Sequence, residues 1–388
     1  MQLSETVKLY PTEYQGKLIS SEMHTYISTV NNLISDAVGG RSIERLTSAE
    51  VDTKLPSALK NQCIRDAKSA IKKHYKACHK AVLKNRSLIK RGLTIRSIAP
   101  KLPVLKRPCC YINNQNFKIK DDNIEFPVII DGHSKRISIK TKMTDKQKSV
   151  FADTVLGTLR IVVKNNTIVA QVVYEAIESE YKTDGNIMGI DLGIKCPAVS
   201  YCADGSVKFF GNGRKNKYMR RHYAILRKRL QKAKKTEVIE RINNKEQRIM
   251  KDIDHKISHD IIETAVAHNV KVIKLERLSN IRSTTRTSRK NNHSLHNWSF
   301  YRLAQYVEYK ARLAGIEVVV EYKARLAGIE VVYVNPAYTS QRCPKCGNIH
   351  HADDRDYICE CGYHIHRDLL GAINICNSTE VVGNRLSA

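Results

Sequence analysis

Three acids stand where a chain can hold a carboxylate still. Asp191 ends the apolar run of IMGIDLGI, Glu276 ends VKVIKLE, and Asp368 opens the helical pattern RDLLGAINICN. A lone acid at a strand end usually serves as a turn or cap residue. Three of them, on strand, strand and helix, can converge at the carboxyl edge of one sheet and hold two Mg²⁺ ions. Mg²⁺ takes hard oxygen ligands. Two such ions about 4 Å apart activate an attacking water and stabilise the leaving oxygen of a phosphodiester. Asp191, Glu276 and Asp368 are therefore the expected catalytic and magnesium-binding residues.

A second constellation lies in QRCPKCGNIHHADDRDYICECGYHIHRDLLGAINI, residues 341–375. Cys343 and Cys346 form a CxxC pair, and Cys359 and Cys361 form a CxC pair twelve residues further on. Four thiolates suit a closed, tetrahedral, structural Zn²⁺ site, not a catalytic one, which needs an open position. His350, His351, His364 and His366 are substitute ligands that rank behind the cysteines. The other seven cysteines are scattered and odd in number. With no basic segment and apolar run near the N-terminus, they imply a reducing cytosol and not a disulfide framework.

The elements that must carry these residues follow from composition and periodicity. The chain has 388 residues, enough for two or three domains, and a net charge of +28 from 66 Lys and Arg against 38 Asp and Glu. An excess of that size implies a polyanionic partner, nucleic acid first. No apolar stretch reaches the roughly 20 residues needed to cross a bilayer, which argues against a membrane partner. LSETVKLY reads as a strand. Helices are expected from Pro11, broken at Gly39-Gly40, and from Pro56-Ser57, the latter with Leu59, Cys63, Ile64, Ala67, Ile71, Cys78 and Val82 on one side and Lys68, Lys72, Lys73, Lys76, Lys80 and Lys84 on the other. NFKIK, NIEFPVII and KRISIKTK alternate as strands, and LRIVVKNNTIVAQVVYE reads as a hairpin turning at Asn165-Asn166. The expectation is a small β-barrel or sandwich into which the helical segment is inserted.

From Asn186 the pattern is α/β, with VSYCADGSVKFF as a hairpin. Residues 214–235 hold eleven Lys or Arg and no acid, so this helix can be solvated or lie along phosphates but cannot be deeply buried. DIDHKISHDIIETAVAHN is amphipathic, with Ile253, Ile257, Ile261 and Ala265 four apart. The polar segment after Glu276 carries Arg282, Arg286, Arg289 and Lys290 and suits nucleic-acid contact. Lys72, Lys76, Arg220, Arg221, Arg227, Lys228, Arg282, Arg286 and Arg289 are the expected nucleic-acid-binding residues, with Lys345, Arg355 and Arg367 as weaker ones.

VEYKARLAGIEVV occurs twice without mismatch, at 307–319 and 320–332. Two short copies do not make a solenoid. Running one helix through both would rotate its apolar face by about 220° at 100° per residue. One copy is therefore expected to form a helix–strand unit in the core, with the other extruded.

GIDLGIK, VIKLERL, EYKARLAGIEVVYVNPAYTSQRCPKCG and CGYHIHRDLLGAINI together resemble the TnpB (OrfB) proteins of insertion sequences and, more distantly, the type V CRISPR effector nucleases. The resemblance is strongest from Gly189 to Ile375. It implies an α/β RuvC-like (RNase H fold) nuclease domain whose Asp-Glu-Asp site matches Asp191, Glu276 and Asp368. It also implies an inserted zinc ribbon and an N-terminal β-barrel carrying a helical lobe. On this plan residues 1–10 and 97–183 are the wedge-like barrel and 11–96 the helical lobe. Residues 184–340 and 365–378 are the nuclease, 341–364 the zinc ribbon and 379–388 a tail. The family commonly reads Asp-Arg-Asp-X-Asn-Ala-Ala in its last motif. Here Leu370 and Gly371 follow His366-Arg367-Asp368-Leu369.

Such proteins are RNA-guided DNA endonucleases. The resemblance implies a guide RNA from the end of the protein's own element, double-stranded target DNA beside a short flanking motif, structural Zn²⁺, two catalytic Mg²⁺ ions and a prokaryotic cytosolic setting. Two alternatives stand beside cleavage: an RNA-guided repressor that binds without cutting, and a transposition factor acting on DNA ends.

Overall fold

The computed structural model describes residues 1–95, 100–164, 167–242, 244–276, 278, 295, 297–319, 338–352 and 355–378. The chain divides into two compact units, Met1–Ile177 and Glu178–Ala388.

The first unit runs β1 (Gln2–Tyr10), α1 (Glu13–Val38), α2 (Ser57–Lys90), β2 (Cys109–Ile112), β3 (Lys118–Lys120), β4 (Asn123–Ile130), β5 (His133–Lys142), α3 (Asp145–Asp153), β6 (Leu156–Lys164) and β7 (Thr167–Glu175). Its strands form one antiparallel sheet of seven, in the order β2-β6-β7-β1-β5-β4-β3. β1 pairs with β7 from Gln2 to Lys8 and with β5 from Lys8 to Tyr10, so the first strand of the chain is central to a sheet built mostly after residue 108. The Asn165-Asn166 turn lies outside the described residues.

Helix α1 begins one step later than Pro11 suggested. Thr12 is its N-cap: Gln15 N donates to Thr12 Oγ1 at 3.3 Å and Thr12 N to Gln15 Oε1 at 3.0 Å, a reciprocal capping box. Ile19, Met23, Tyr26, Ile27, Val30, Leu33 and Ile34 are buried together with Leu59, Cys63, Ile64 and Ala67 of α2. Tyr26 Oη donates to Asp66 of α2 at 2.8 Å. The apolar side read for α2 is covered only in its first third. Ile71 and Cys78 are half-buried, and Val82, Leu83 and Ile89 are exposed. The periodicity continues to the end of the helix, but the described residues that pack on it do not.

The second unit runs β8 (Asn186–Asp191), β9 (Ala198–Cys202), β10 (Val207–Phe210), α4 (Gly213–Lys232), α5 (Thr236–Ile242), α6 (Lys245–Ala267), β11 (Val270–Leu275), α7 (Phe300–Leu313), β12 (Glu317–Val319), β13 (Asp356–Ile358), β14 (His364–His366) and α8 (Arg367–Asn377). A five-stranded sheet has the order β10-β9-β8-β11-β12. β11 lies parallel to both β8 and β12, while β9 and β10 run antiparallel. β13 and β14 form a separate hairpin.

Alternation along β8 assigns its two faces. Met188 and Ile190 join a core with Ile257, Ile261, Ile262 and Ala265 of α6 and Leu303, Val307 and Ala311 of α7. Gly189 faces the other way, against α8: a Cβ there would lie 2.3 Å from Ala372 O and 2.4 Å from Cys376 N. The absent side chain is what lets α8 lie directly on the strand that ends in Asp191.

The first copy of the repeat, 307–319, ends α7, turns at Gly315 (φ +67°) and enters β12, which pairs with β11. That is the helix–strand unit expected in the core. The second copy lies outside the described residues.

Candidate active site and metal centre

Asp191 is the last residue of β8. The β8–β11 register pairs Ile190 with Leu275, so the next step sets Glu276 opposite Asp191. Asp368 sits in the first turn of α8, whose N-cap is His366; Asp368 N donates to His366 Nδ1 at 3.3 Å. One turn further along, Gly371 lies over Asp191, where an added Cβ would stand 3.3 Å from its carboxyl carbon. Two parallel strands and the start of one helix thus gather the three acids at one edge of the sheet.

Their electrostatics register this crowding. The Asp191 carboxyl is held well above the usual carboxylate range, first by burial, then by the negative charges of Glu276 and Asp368; Arg355 and Arg367 act against the rise. Burial also raises Glu276, opposed by Thr339, whose hydroxyl donates to Glu276 Oε1 at 2.5 Å. Asp368 is paired with the Arg355 guanidinium. Three carboxylates, two of them biased toward the protonated form by burial, fit a divalent cation chemically, because a cation would reverse that bias. In the described conformation the three carboxylates do not form as tight a group as the four cysteines, and Asp368 is paired with Arg355.

The four cysteines are gathered. Their Sγ atoms all lie within 4.8 Å of one another, and they are the one group of three or more His, Cys, Asp or Glu to do so among the described residues. Cys343 and Cys361 approach to 3.6 Å and Cys346 and Cys359 to 3.4 Å. Each pair closes a tight turn at a glycine with positive φ, Gly347 (+77°) and Gly362 (+79°). Gly347 N donates to Cys343 O and Gly362 N to Cys359 O, both at 2.9 Å. The Cys343 thiol is pulled down to about 7: burial works against ionisation, but the Cys346 and Lys345 amides and the neighbouring thiols outweigh it. A thiol biased toward thiolate among three others is a donor set for Zn²⁺. The four histidines stand outside it. His366 caps α8 and packs edge-on against Phe209, while His350, His351 and His364 are exposed.

Arg355 was read from sequence only as a residue that could touch a DNA strand. Its pairing with Asp368 follows from the β13–β14 hairpin, which sets Asp356 opposite His366 and so lays Arg355 beside the start of α8. The sequence signal was the DYICECGYHIH hairpin around the second cysteine pair. Thr339 and Gly371 carried no comparable signal.

The expected nucleic-acid contacts are dispersed. Lys72 and Lys76 are exposed on α2, and Arg221 and Lys228 on α4. Arg227 donates to Glu246 at 2.6 Å, and Arg220 stands 3.9 Å from the same carboxylate. Arg282, Arg286, Arg289 and Lys290 lie outside the described residues. Lys345 is exposed and Arg367 half-buried.

Known proteins are similar to this chain in fold and in sequence. A solved Cas12f1–sgRNA–target DNA complex contains a chain that superposes with a TM-score of 0.58 at 15% identity, covering 93% of this chain and 81% of that one; at that identity the likeness is one of fold. In sequence, residues 167–282 match the OrfB family of IS605, described as a probable transposase, and residues 319–375 match a Cas12f1-like TNB domain. The TnpB-like protein MJ0751 of Methanocaldococcus jannaschii is 29% identical over 283 residues, 69% of this chain and 95% of that protein. The Cas12f1 endodeoxyribonuclease of Sulfoacidibacillus thermotolerans is 32% identical over 146 residues, 37% of this chain and 30% of that longer protein. In fold the chain is similar to a Cas12f1 effector. Over 69% of its length the chain is similar to a TnpB-like protein, and its residues 167–282 match the OrfB family of insertion-sequence proteins.

Proposed function

We propose that the chain is an RNA-guided, Mg²⁺-dependent DNA endonuclease carried by a transposable element. The observation that carries the proposal is the meeting of Asp191, Glu276 and Asp368 at the carboxyl edge of β8 and β11. On this reading the second unit is a RuvC-like nuclease, residues 184–340 and 365–378, interrupted by a zinc ribbon at 341–364. Residues 1–10 and 97–183 are a wedge-like barrel carrying the helical lobe 11–96.

Asp191, Glu276 and Asp368 would hold two Mg²⁺ ions, which supply charge neutralisation and an activated water for phosphodiester hydrolysis. The chain's own residues do the positioning. Thr339 fixes the Glu276 carboxylate, and Gly371 leaves room beside Asp191. Arg355 compensates the charge of Asp368 and stands beside the site, where a guanidinium can also pair with a phosphate.

Specificity would come from base pairing to a guide RNA transcribed from the end of the element, while the protein reads a short motif flanking the target and the heteroduplex backbone. The exposed cations of α2 and α4, Lys72, Lys76, Arg221 and Lys228, are the proposed backbone contacts.

Two measurements test this. The protein expressed with its native flanking DNA should retain one defined transcript through high salt, and that transcript should direct Mg²⁺-dependent cutting. Asp191→Ala should abolish cutting and leave RNA binding unchanged. Metal-dependent cleavage by Asp191→Ala would reject the site, and heterogeneous RNA would reject the guide.

A further inference from the structure

At the loop that follows β8, on the α6 and α7 side of the sheet, the second unit holds a pocket of about 230 Å³. That is room for one heterocycle and less than the roughly 300–1,000 Å³ of a drug-sized site. Its lining is of two kinds. Met250, Leu303, Pro197 and Trp298 supply apolar and aromatic surface, and Lys217, Arg220 and Arg221 of α4 supply positive charge. Gly193 also lines it, two residues after Asp191, so the pocket begins within about 7 Å of the Asp191 backbone. It lies outside the carboxyl ends of parallel strands, where open α/β sheets place their ligands.

The aromatic wall is held in place. Trp298 packs on Phe300 with ring centroids 5.1 Å apart. The next residue is tied to α6: Ser299 Oγ donates to Asp254 Oδ1 at 3.3 Å, and Arg302 Nε donates to Asp254 Oδ2 at 2.7 Å. Asp254 is 3% exposed, so the one carboxylate among the described lining residues is committed to Arg302 and Ser299. Among the described residues Lys217 and Arg221 are left as the pocket's uncompensated charge, while Arg220 also faces Glu246.

We propose that this pocket takes one unpaired nucleotide of the DNA strand entering the active site, its base against Trp298 and its phosphate on Lys217 and Arg221. A flat π-face beside cations is the pairing that holds single-stranded nucleic acid without reading its sequence. A nucleotide seated there would fix the register of the strand at Asp191. The inference rests on the nuclease reading, and it is separable from it.

Trp298 is the only tryptophan in the chain, so its emission reports on this pocket alone. The full-length protein, without added Mg²⁺, is titrated with a twelve-nucleotide oligo(dT), with an abasic strand of the same length, and with oligo(U), and binding is followed by anisotropy. Oligo(dT) should quench Trp298 and the abasic strand should bind without quenching. Trp298→Ala should weaken oligo(dT) about 5- to 150-fold, the worth of one base–aromatic stack, and leave the abasic strand unchanged. Arg221→Ala should weaken both strands alike.

Binding of oligo(dT) with unchanged emission, or equal quenching by the abasic strand, would overturn the pocket and leave the nuclease reading standing. Quenching by oligo(U) alone would overturn the assignment to DNA. Failure to bind any strand would overturn both. The emission of the unsubstituted protein decides the matter even if Trp298→Ala fails to fold.

Discussion

Glu22 offers a test of the first unit that needs no nucleic acid. It lies on the buried side of α1, 6% exposed. One carboxyl oxygen accepts the Ile129 amide of β4 at 2.6 Å, while the other, Oε2, is buried without a hydrogen-bond partner. Burial pushes the carboxyl up from 4.5 to about 7, with the Ile129 amide acting the other way. The folded state therefore keeps a proton that the unfolded chain has already released. The contribution to stability is fully present below about pH 4.5 and is lost as pH rises through about 7. The rise from 4.5 to about 7, at about 1.4 kcal/mol for each pH unit, makes the loss on the order of 3 kcal/mol by pH 8.

Glu22→Gln imitates the neutral form. Its carbonyl can still accept from Ile129, but its amide nitrogen would stand where Oε2 has no partner, at a cost of about 1–3 kcal/mol at every pH. The absolute stability of the variant is therefore a poor readout, and the slope is a good one. Hydrogen exchange of the α1 and β4 peptides, followed from pH 5 to 8 and corrected for intrinsic rates, should show protection falling with pH in the parent and staying flatter in Glu22→Gln. Parallel slopes would show that Glu22 does not titrate in this window and would refute the burial argument.

Three further outcomes follow, two from the second unit and one from α1 of the first. Gly189→Ala drives a methyl into backbone atoms of α8 at 2.3 and 2.4 Å, and should cost about 3 kcal/mol or more in thermal unfolding. Gly16→Ala, in α1 with only Pro11 Cγ near at 3.9 Å, should instead be neutral or stabilising by up to about 1 kcal/mol. Arg355→Ala removes a charge that holds the Asp191 carboxyl down, so the acid limb of Mg²⁺-dependent cleavage should move to higher pH; an unmoved limb would separate Arg355 from Asp191.

What the sequence revealed and what it hid have physical causes. The parallel strands ending at Asp191 and Glu276 are legible because buried strands read as short apolar runs, and such a strand delivers the residue after it to the sheet edge. The helix faces of α1 and α6 are legible for the same kind of reason. β2 and α3 were not read, because CCYI is too short to show a period and DKQKSVFAD buries only Phe151. The exposed half of α2 was misjudged because periodicity reports what a helix can bury, and only its neighbours decide what it does bury. At the candidate site, the meeting of the acids at one sheet edge and the clustering of the cysteines were legible from type and spacing. Thr339, Gly371 and the Arg355–Asp368 pair were not, because each depends on a contact between segments brought together only by the fold.

Leu370 decides between two roles for the cysteine module, a grip on nucleic acid or a staple for the active site. It stands where the family commonly has asparagine, and it is fully buried with Cys343, Ala352, Tyr357 and Cys359. That core is too small to hold a shape without metal. Leu370 is two residues past Asp368, so the start of α8 and the cysteine core share one apolar contact. Polar contacts run the same way: Asn374 of α8 donates to Thr339 O and Arg342 O at 2.7 and 2.8 Å, and Thr339 in turn holds Glu276. A metal on the four cysteines would thus steady two of the three acids, which is a staple's work. Leu370→Ala should weaken the shared core by about 2–5 kcal/mol, and Leu370→Met by less than about 1.5. Zn²⁺ should then pass to a chelator faster from the alanine variant, with cleavage falling in step and RNA binding unchanged. If Leu370→Ala keeps its metal and its activity, while Lys345→Ala weakens DNA binding, the module is a grip and α8 holds Asp368 without it.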